Sequence, residues 1–220
     1  MITFVPIESE CSLCGTTSEQ RLARVPTTEG LPDLDSRPSG LMRSSIVFWV
    51  QRCPKCGYCA TDISLEYPLA SQTVQSAEYK KVLRRRSMPE KARQFLAWAL
   101  IQEANEEFGG AGWAAMHAAW ICDDAEKPKA AAECRLLVLE RFARQRARLG
   151  HITGFEEPGV EELVLADLCR RTGQYDGAAR WVDLGLERRP DEIVRRGLEM
   201  EFGLAQQKDR GAHSLEELLH

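Results

Sequence analysis

Two short knuckles, Cys11-Ser12-Leu13-Cys14-Gly15 and Cys53-Pro54-Lys55-Cys56-Gly57, hold the residues of this chain best suited to chemistry. Each presents a pair of thiolates on one tight turn, and two such turns facing each other make a tetrahedral four-sulfur cage. That is the usual way a protein holds a structural zinc ion. The glycine after each pair can take a positive φ, which lets backbone N–H groups turn towards the sulfurs. Cys11, Cys14, Cys53 and Cys56 are therefore the candidate metal ligands, with Zn2+ as the expected ion. Iron is the alternative, because tetrathiolate geometry alone permits either metal.

The other reactive side chains have plainer readings. Cys59 extends the second knuckle to Cys-x-x-Cys-x-x-Cys, but an iron–sulfur run needs a further cysteine followed by proline nearby, and none occurs. It is read as a packing residue. Cys122, Cys134 and Cys169 lie in helical patterns and are read as small buried hydrophobes. His117, among Ala115, Met116, Ala118 and Ala119, is a core or groove residue, and His151 has no cysteine near it in sequence. Gly110-Ala111-Gly112-Trp113-Ala114-Ala115 has the letters of a dinucleotide fingerprint but follows a helical segment instead of a strand. Lys80, Lys81, Arg84, Arg85 and Arg86 read as a solvated helix end. Arg141, Arg144, Arg146 and Arg148 crowd a helix C-terminus, where cations meet the dipole favourably. No Gly-x-Ser-x-Gly, phosphate-loop or His-Glu-x-x-His motif is present, and no catalytic residue is assigned.

Around the knuckles the chain must supply a scaffold. Its 220 residues carry a net charge of -4 and are 44% hydrophobic, which fits a medium domain or a small module plus a larger one. No apolar run is long enough to cross a bilayer, and Met1-Ile2-Thr3-Phe4-Val5-Pro6 lacks the basic start of a secretory signal. The expected compartment is the reducing cytoplasm, where paired thiols bind metal in preference to forming disulfides. Mild acidity argues against nucleic acid as a partner.

Residues 1–62 read as a metal-binding module. Within them Ser45-Ile46-Val47-Phe48-Trp49-Val50-Gln51 reads as a strand feeding the second knuckle, and Thr27 to Gly40 reads as a loop. Residues 73–220 read as helical. Ser87-Met88-Pro89-Glu90 matches a capping box. A helix behind it carries Ala92, Phe95, Leu96 and Ala99, a second runs from Trp113 through Trp120 after a break at Gly109-Gly110-Ala111-Gly112, and a third spans Lys129 to Arg148 before Gly150. Between Gly159 and Pro190, the residues Leu165, Ala166, Cys169, Gly173, Tyr175, Ala178, Val182 and Leu186 fall where a tetratricopeptide repeat places its packing positions. Glu162 and Gly185 depart from that consensus. Trp113 and Trp120 hint at an eroded earlier copy. The expected fold class is mainly α with a small β module: a zinc-ribbon-like head followed by a tetratricopeptide-like helical hairpin body.

The first knuckle, the run Trp49-Val50-Gln51-Arg52-Cys53-Pro54-Lys55-Cys56-Gly57-Tyr58, and Leu165-Ala166-Asp167-Leu168 leading to Gly173-Gln174-Tyr175 together resemble the bacterial family known as domain of unknown function 2225. The resemblance covers most of the chain and implies a zinc-ribbon-like head on a helical-repeat body. It implies no reaction. The expected function is a zinc-stabilised scaffold that binds a protein or peptide on its repeat face. A rubredoxin-like iron electron carrier and a nucleic-acid-binding ribbon are the alternatives. The ribbon alternative is weakened because Arg21, Arg24, Arg37, Arg43, Arg52 and Lys55 are matched in residues 1–60 by Glu8, Glu10, Glu19, Glu29, Asp33 and Asp35.

Overall fold

Alternation of inward and outward side chains makes the first element a β-hairpin: Val5, Ile7 and Ser9 turn in while Pro6, Glu8 and Glu10 stay exposed. In the computed structural model, which describes residues 3–24 and 30–219, β1 (Thr3–Glu10) pairs antiparallel with β2 (Thr17–Arg24), Glu10 opposite Thr17. The first knuckle is the loop of this hairpin. The second sits between two-residue strands, β3 (Gln51–Arg52) and β4 (Cys59–Ala60). Around these small sheets the molecule is mainly α-helical.

The strand expected over Ser45–Gln51 is replaced by helix α1 (Gly40–Ser45) and a 3-10 turn over Ile46–Phe48, and only Gln51 joins a sheet. Ser45 and Ile46 are adjacent and both buried, which breaks the in-out alternation a half-exposed strand needs and overrides the β-propensity of the run.

The chain divides into two compact units. The first comprises residues 1–27 and 44–145. It contains both knuckles, α2 (Ala70–Gln75), α3 (Ala77–Arg84), α4 (Glu90–Ala104), α5 (Phe108–Asp124) and most of α6 (Pro128–Leu149). Helix α5 is buried almost all round because it is built from alanine, glycine and large apolar residues and packs against neighbours on more than one side. The glycines at 109, 110 and 112 do not break it. A Cβ at Gly112 would overlap the Phe142 ring, and one at Gly109 would come 3.2 Å from the Gln145 carboxamide carbon, so these glycines let α6 approach closely. The turn falls earlier, at Glu106 (φ 60°), where Glu107 N–H donates to Gln102 C=O and Glu106 N–H to Glu103 C=O, a Schellman closure. The capping box does not form: Pro89 occupies the cap, and the Glu90 carboxylate accepts from Arg52 and Gln94 instead.

These contacts set opposite signs for two glycine substitutions. Gly112→Ala is expected to overpack against Phe142 and destabilise by ~1–3 kcal/mol. Gly203→Ala, where an added Cβ meets nothing within 4 Å, is expected to stabilise by up to about 1 kcal/mol through helix propensity. Urea unfolding midpoints of the two variants check both signs.

The second unit comprises residues 28–43 and 146–220. Helices α7 (Val160–Thr172) and α8 (Tyr175–Glu187) form a hairpin turned at Gly173 (φ 85°), and α9 (Glu192–Gln206) packs on both. Leu165, Cys169, Ala178 and Val182 are buried, as expected. Tyr175 is not: it is half-buried, and its hydroxyl donates to Lys208 C=O and accepts from Arg210. At the two positions that depart from the repeat consensus, a Cβ on Gly185 would come within 3.0 Å of Glu162 Cβ and 2.8 Å of Leu198, so the missing methyl permits close helix approach. Ala178→Trp is expected to overpack this hairpin by ~1–3 kcal/mol, again readable as a urea midpoint.

The segment read as a loop between the knuckles is packed where it is described. Leu34, Asp35 and Arg37 are buried, Leu34 N–H donates to His213 C=O, and Asp35 accepts from Arg171 at 3.2 Å. Thr27 to Glu29 lie outside the described residues. At the centre of this unit Arg170, fully buried, spends every guanidinium N–H. Nε and Nη2 donate to Glu201 (2.7 and 3.1 Å), Nη2 also to Asp167 (2.7 Å), and Nη1 to the carbonyls of Asp209 and Gly211.

Candidate metal centre

Each knuckle is closed by its own backbone. In the first, Gly15 (φ 65°) donates its N–H to Cys11 C=O at 2.8 Å, and Cys11 N–H reaches Thr16 C=O. In the second, Gly57 (φ 79°) donates to Cys53 C=O at 3.1 Å, and Cys53 N–H reaches Tyr58 C=O. The positive φ at both glycines serves the turn itself. Other amides face the sulfurs: those of Leu13 and Cys14 at Cys11, Thr16 at Cys14, and Tyr58 at Cys56.

The two turns bring the four sulfurs together. Sγ of Cys11 lies 3.7 Å from that of Cys56, Cys14 lies 3.6 Å from Cys53, and all four fall within 4.8 Å of one another. A regular tetrahedron with bonds near 2.3 Å has edges of about 3.8 Å, so the set fits one metal ion bound by four thiolates. Cys11 and Cys53 are buried and Cys14 and Cys56 half-buried. Burial pushes the Cys11 and Cys56 thiols up, whereas the Thr16 hydroxyl beside Cys14 brings that thiol down to about 6. A bound cation would hold all four as thiolates and release protons on binding.

A strap after β4 ties the knuckles to each other. Ile63 C=O accepts from both the N–H (2.9 Å) and the hydroxyl (3.1 Å) of Ser12, and Ile63 N–H donates to Gln51 Oε1 (3.1 Å). From helix α3, Tyr79 donates its hydroxyl to Gly57 C=O at 3.0 Å and accepts from Cys59 N–H at 2.9 Å. Gln20 of β2 donates to Arg52 C=O. Sequence reasoning missed these supports. The one visible signal is Gln51, a polar residue that follows an apolar run.

The remaining candidates stay apart from the cage. Cys59 is buried, donates to Gly57 C=O at 3.4 Å, and is held up to about 12 by burial. Cys122, Cys134 and Cys169 are buried. His151 is exposed, 3.1 Å from Leu149 C=O, and His117 lies among aromatic rings. Arg85 pairs with Glu133, Arg141 and Arg144 with Glu103, and Arg146 with Glu161. Arg141, Arg144 and Arg146, read as cations at a helix end, thus also meet carboxylates, and so does Arg85 of the basic run. Among the described residues no helix is long and apolar enough to cross a membrane. Comparison of the chain with protein-family models, with curated proteins and with solved structures finds no match.

Proposed function

We propose that Cys11, Cys14, Cys53 and Cys56 hold one structural Zn2+, and that the protein is an interaction scaffold whose helical-repeat body receives a protein or peptide partner. The observation that carries this reading is the closed sulfur set. Four thiolates occupy every vertex of a tetrahedral ion, leaving no position for substrate, so the metal contributes folding energy in place of Lewis acidity. The resemblance to domain of unknown function 2225 belongs to the same proposal, as does a cytoplasmic setting that keeps the thiols reduced. Support for a binding face comes from α8 and α9, where Leu184 and Phe202 remain 44% and 41% exposed.

Elemental analysis of protein purified without added metal tests the zinc reading. One zinc per chain and a colourless solution are expected. A red protein with stoichiometric iron would instead favour electron transfer. For the scaffold reading, Leu184→Ser with Phe202→Ser is expected to lower capture of a bound partner while far-ultraviolet helicity stays unchanged.

A further inference from the structure

A cavity of about 360 Å³ in the first unit is walled by Trp49, Phe95, Trp98, Trp113 and His117, with Gln102 and Thr61 as its polar residues. We propose that this cavity is a binding site for a methylated ammonium group. Nothing in the metal-centre reading requires it.

The walls are rigid before any ligand arrives. Trp49 is fixed by its indole N–H, which donates to Ser45 Oγ at 3.0 Å. Trp98 stands edge-on to Tyr67 at 4.5 Å between centroids, and Trp113 edge-on to Phe142 at 5.7 Å. His117 touches Trp49, Phe95 and Trp120, each at 5.1 Å, and burial drives its pKa down to about 3. It therefore presents a neutral ring to the cavity. The cost of ordering these side chains falls on folding, and a ligand gains the benefit.

The lining chemistry selects the class of ligand. Indole and phenyl faces attract a cation through the ring quadrupole. No lining residue is charged, so an anion finds no guanidinium or ammonium partner here. A primary ammonium finds no carboxylate to replace its tightly held water. Methylation weakens that hydration and spreads the charge over apolar surface, which suits aromatic walls.

Gln102 is a lining residue, and its Oε1 is buried without a hydrogen-bond partner. Room for its carboxamide exists because residue 110 is glycine; a Cβ there would overlap the Gln102 amide nitrogen. An unpaired buried acceptor is costly. A methylated ammonium that keeps one N–H would satisfy it, so tertiary ammonium should be favoured over quaternary.

The test follows indole N–H resonances of the full-length protein during titration with trimethylammonium, tetramethylammonium, choline, ammonium and 3,3-dimethylbutan-1-ol, the uncharged isostere of choline. Saturable shifts at Trp49, Trp98 and Trp113 are expected, with Trp181 unchanged as an internal reference. Trimethylammonium should bind several-fold tighter than tetramethylammonium, and choline at least ~10-fold tighter than its isostere, as charge recognition by rings requires. Gln102→Leu should erase the trimethyl-over-tetramethyl preference, and Trp113→Leu should weaken both ions. A dimethyllysine peptide that outcompetes trimethylammonium would place the group on a protein side chain; equal affinity would place it on a small metabolite. Equal binding of choline and its isostere, or no saturable shift in the millimolar range, would overturn the proposal whatever the variants do.

Discussion

Cys56→Ser is expected to release the metal and melt the knuckle region while most helical signal survives. Zinc binding supplies on the order of 10–16 kcal/mol of apparent folding energy in small modules, and a three-sulfur site loses much of it. The damage should spread along named bonds. With the second knuckle loosened, the Tyr79 hydroxyl loses Gly57 C=O and Cys59 N–H, and the Ile63 strap loses its geometry against Ser12. Limited proteolysis should cut within β1, β2 or the strap at 61–65. It should spare 30–39, which is packed within the other unit. Cys59→Ala is the control: its thiol meets Gly57 C=O at 3.4 Å and the Tyr79 hydroxyl and is not one of the four clustered sulfurs, so metal content should be unchanged. A Cys56→Ser protein with full metal and unchanged cutting would sink the structural role.

The second large effect lies far from the metal in sequence. Arg170→Met should cost ~3–5 kcal/mol, because it leaves Asp167 and Glu201 buried without their cation. Converting Asp167, Arg170 and Glu201 together to apolar residues should recover most of that loss, since the buried set then needs no compensation. The buried Asp167 and Glu201 carboxyls face the Arg170 guanidinium, and the partly exposed Asp209 carboxylate lies 3.9 Å from it, so carboxyls outnumber the cation. Burial first, and then the Asp167 charge, push Glu201 up to about 8. A carboxyl raised in this way stabilises the fold fully below its ordinary value of 4.5, and that contribution is lost as pH rises through about 8. Glu201→Gln should therefore flatten the fall in stability across this window. A wild-type protein whose unfolding free energy is level there would contradict the raised Glu201 carboxyl.

A feature can be read from sequence when its signal is local. Cysteine spacing is local, so the four candidate ligands could be read directly, as could the α6 stop at Gly150 (φ 80°) and the Gly173 turn. Ser45–Gln51 misled because β-branched and aromatic residues favour strands in isolation, whereas here the consecutive Ser45 and Ile46 are both buried and strand alternation fails. Gly109, Gly110 and Gly112 misled in the opposite way. Glycine usually marks a turn, yet these accommodate Gln145, Gln102 and Phe142 from neighbouring helices. The real turn uses Glu106 in a left-handed conformation, which no composition rule would pick. Hairpin β1–β2 was hidden because Thr17-Ser18-Glu19-Gln20-Arg21 is polar on both faces. The aromatic cavity was hidden because its walls come from Trp49, Thr61 and two separate helices.

In the proposed centre four thiolates close around one structural zinc. X-ray absorption at the zinc edge, on protein purified without added metal, tests it most directly. One zinc per chain with a sulfur-only tetrahedral shell at about 2.3 Å is expected. A stoichiometric ion with nitrogen or oxygen ligands, iron in place of zinc, or a folded protein with no metal would contradict it.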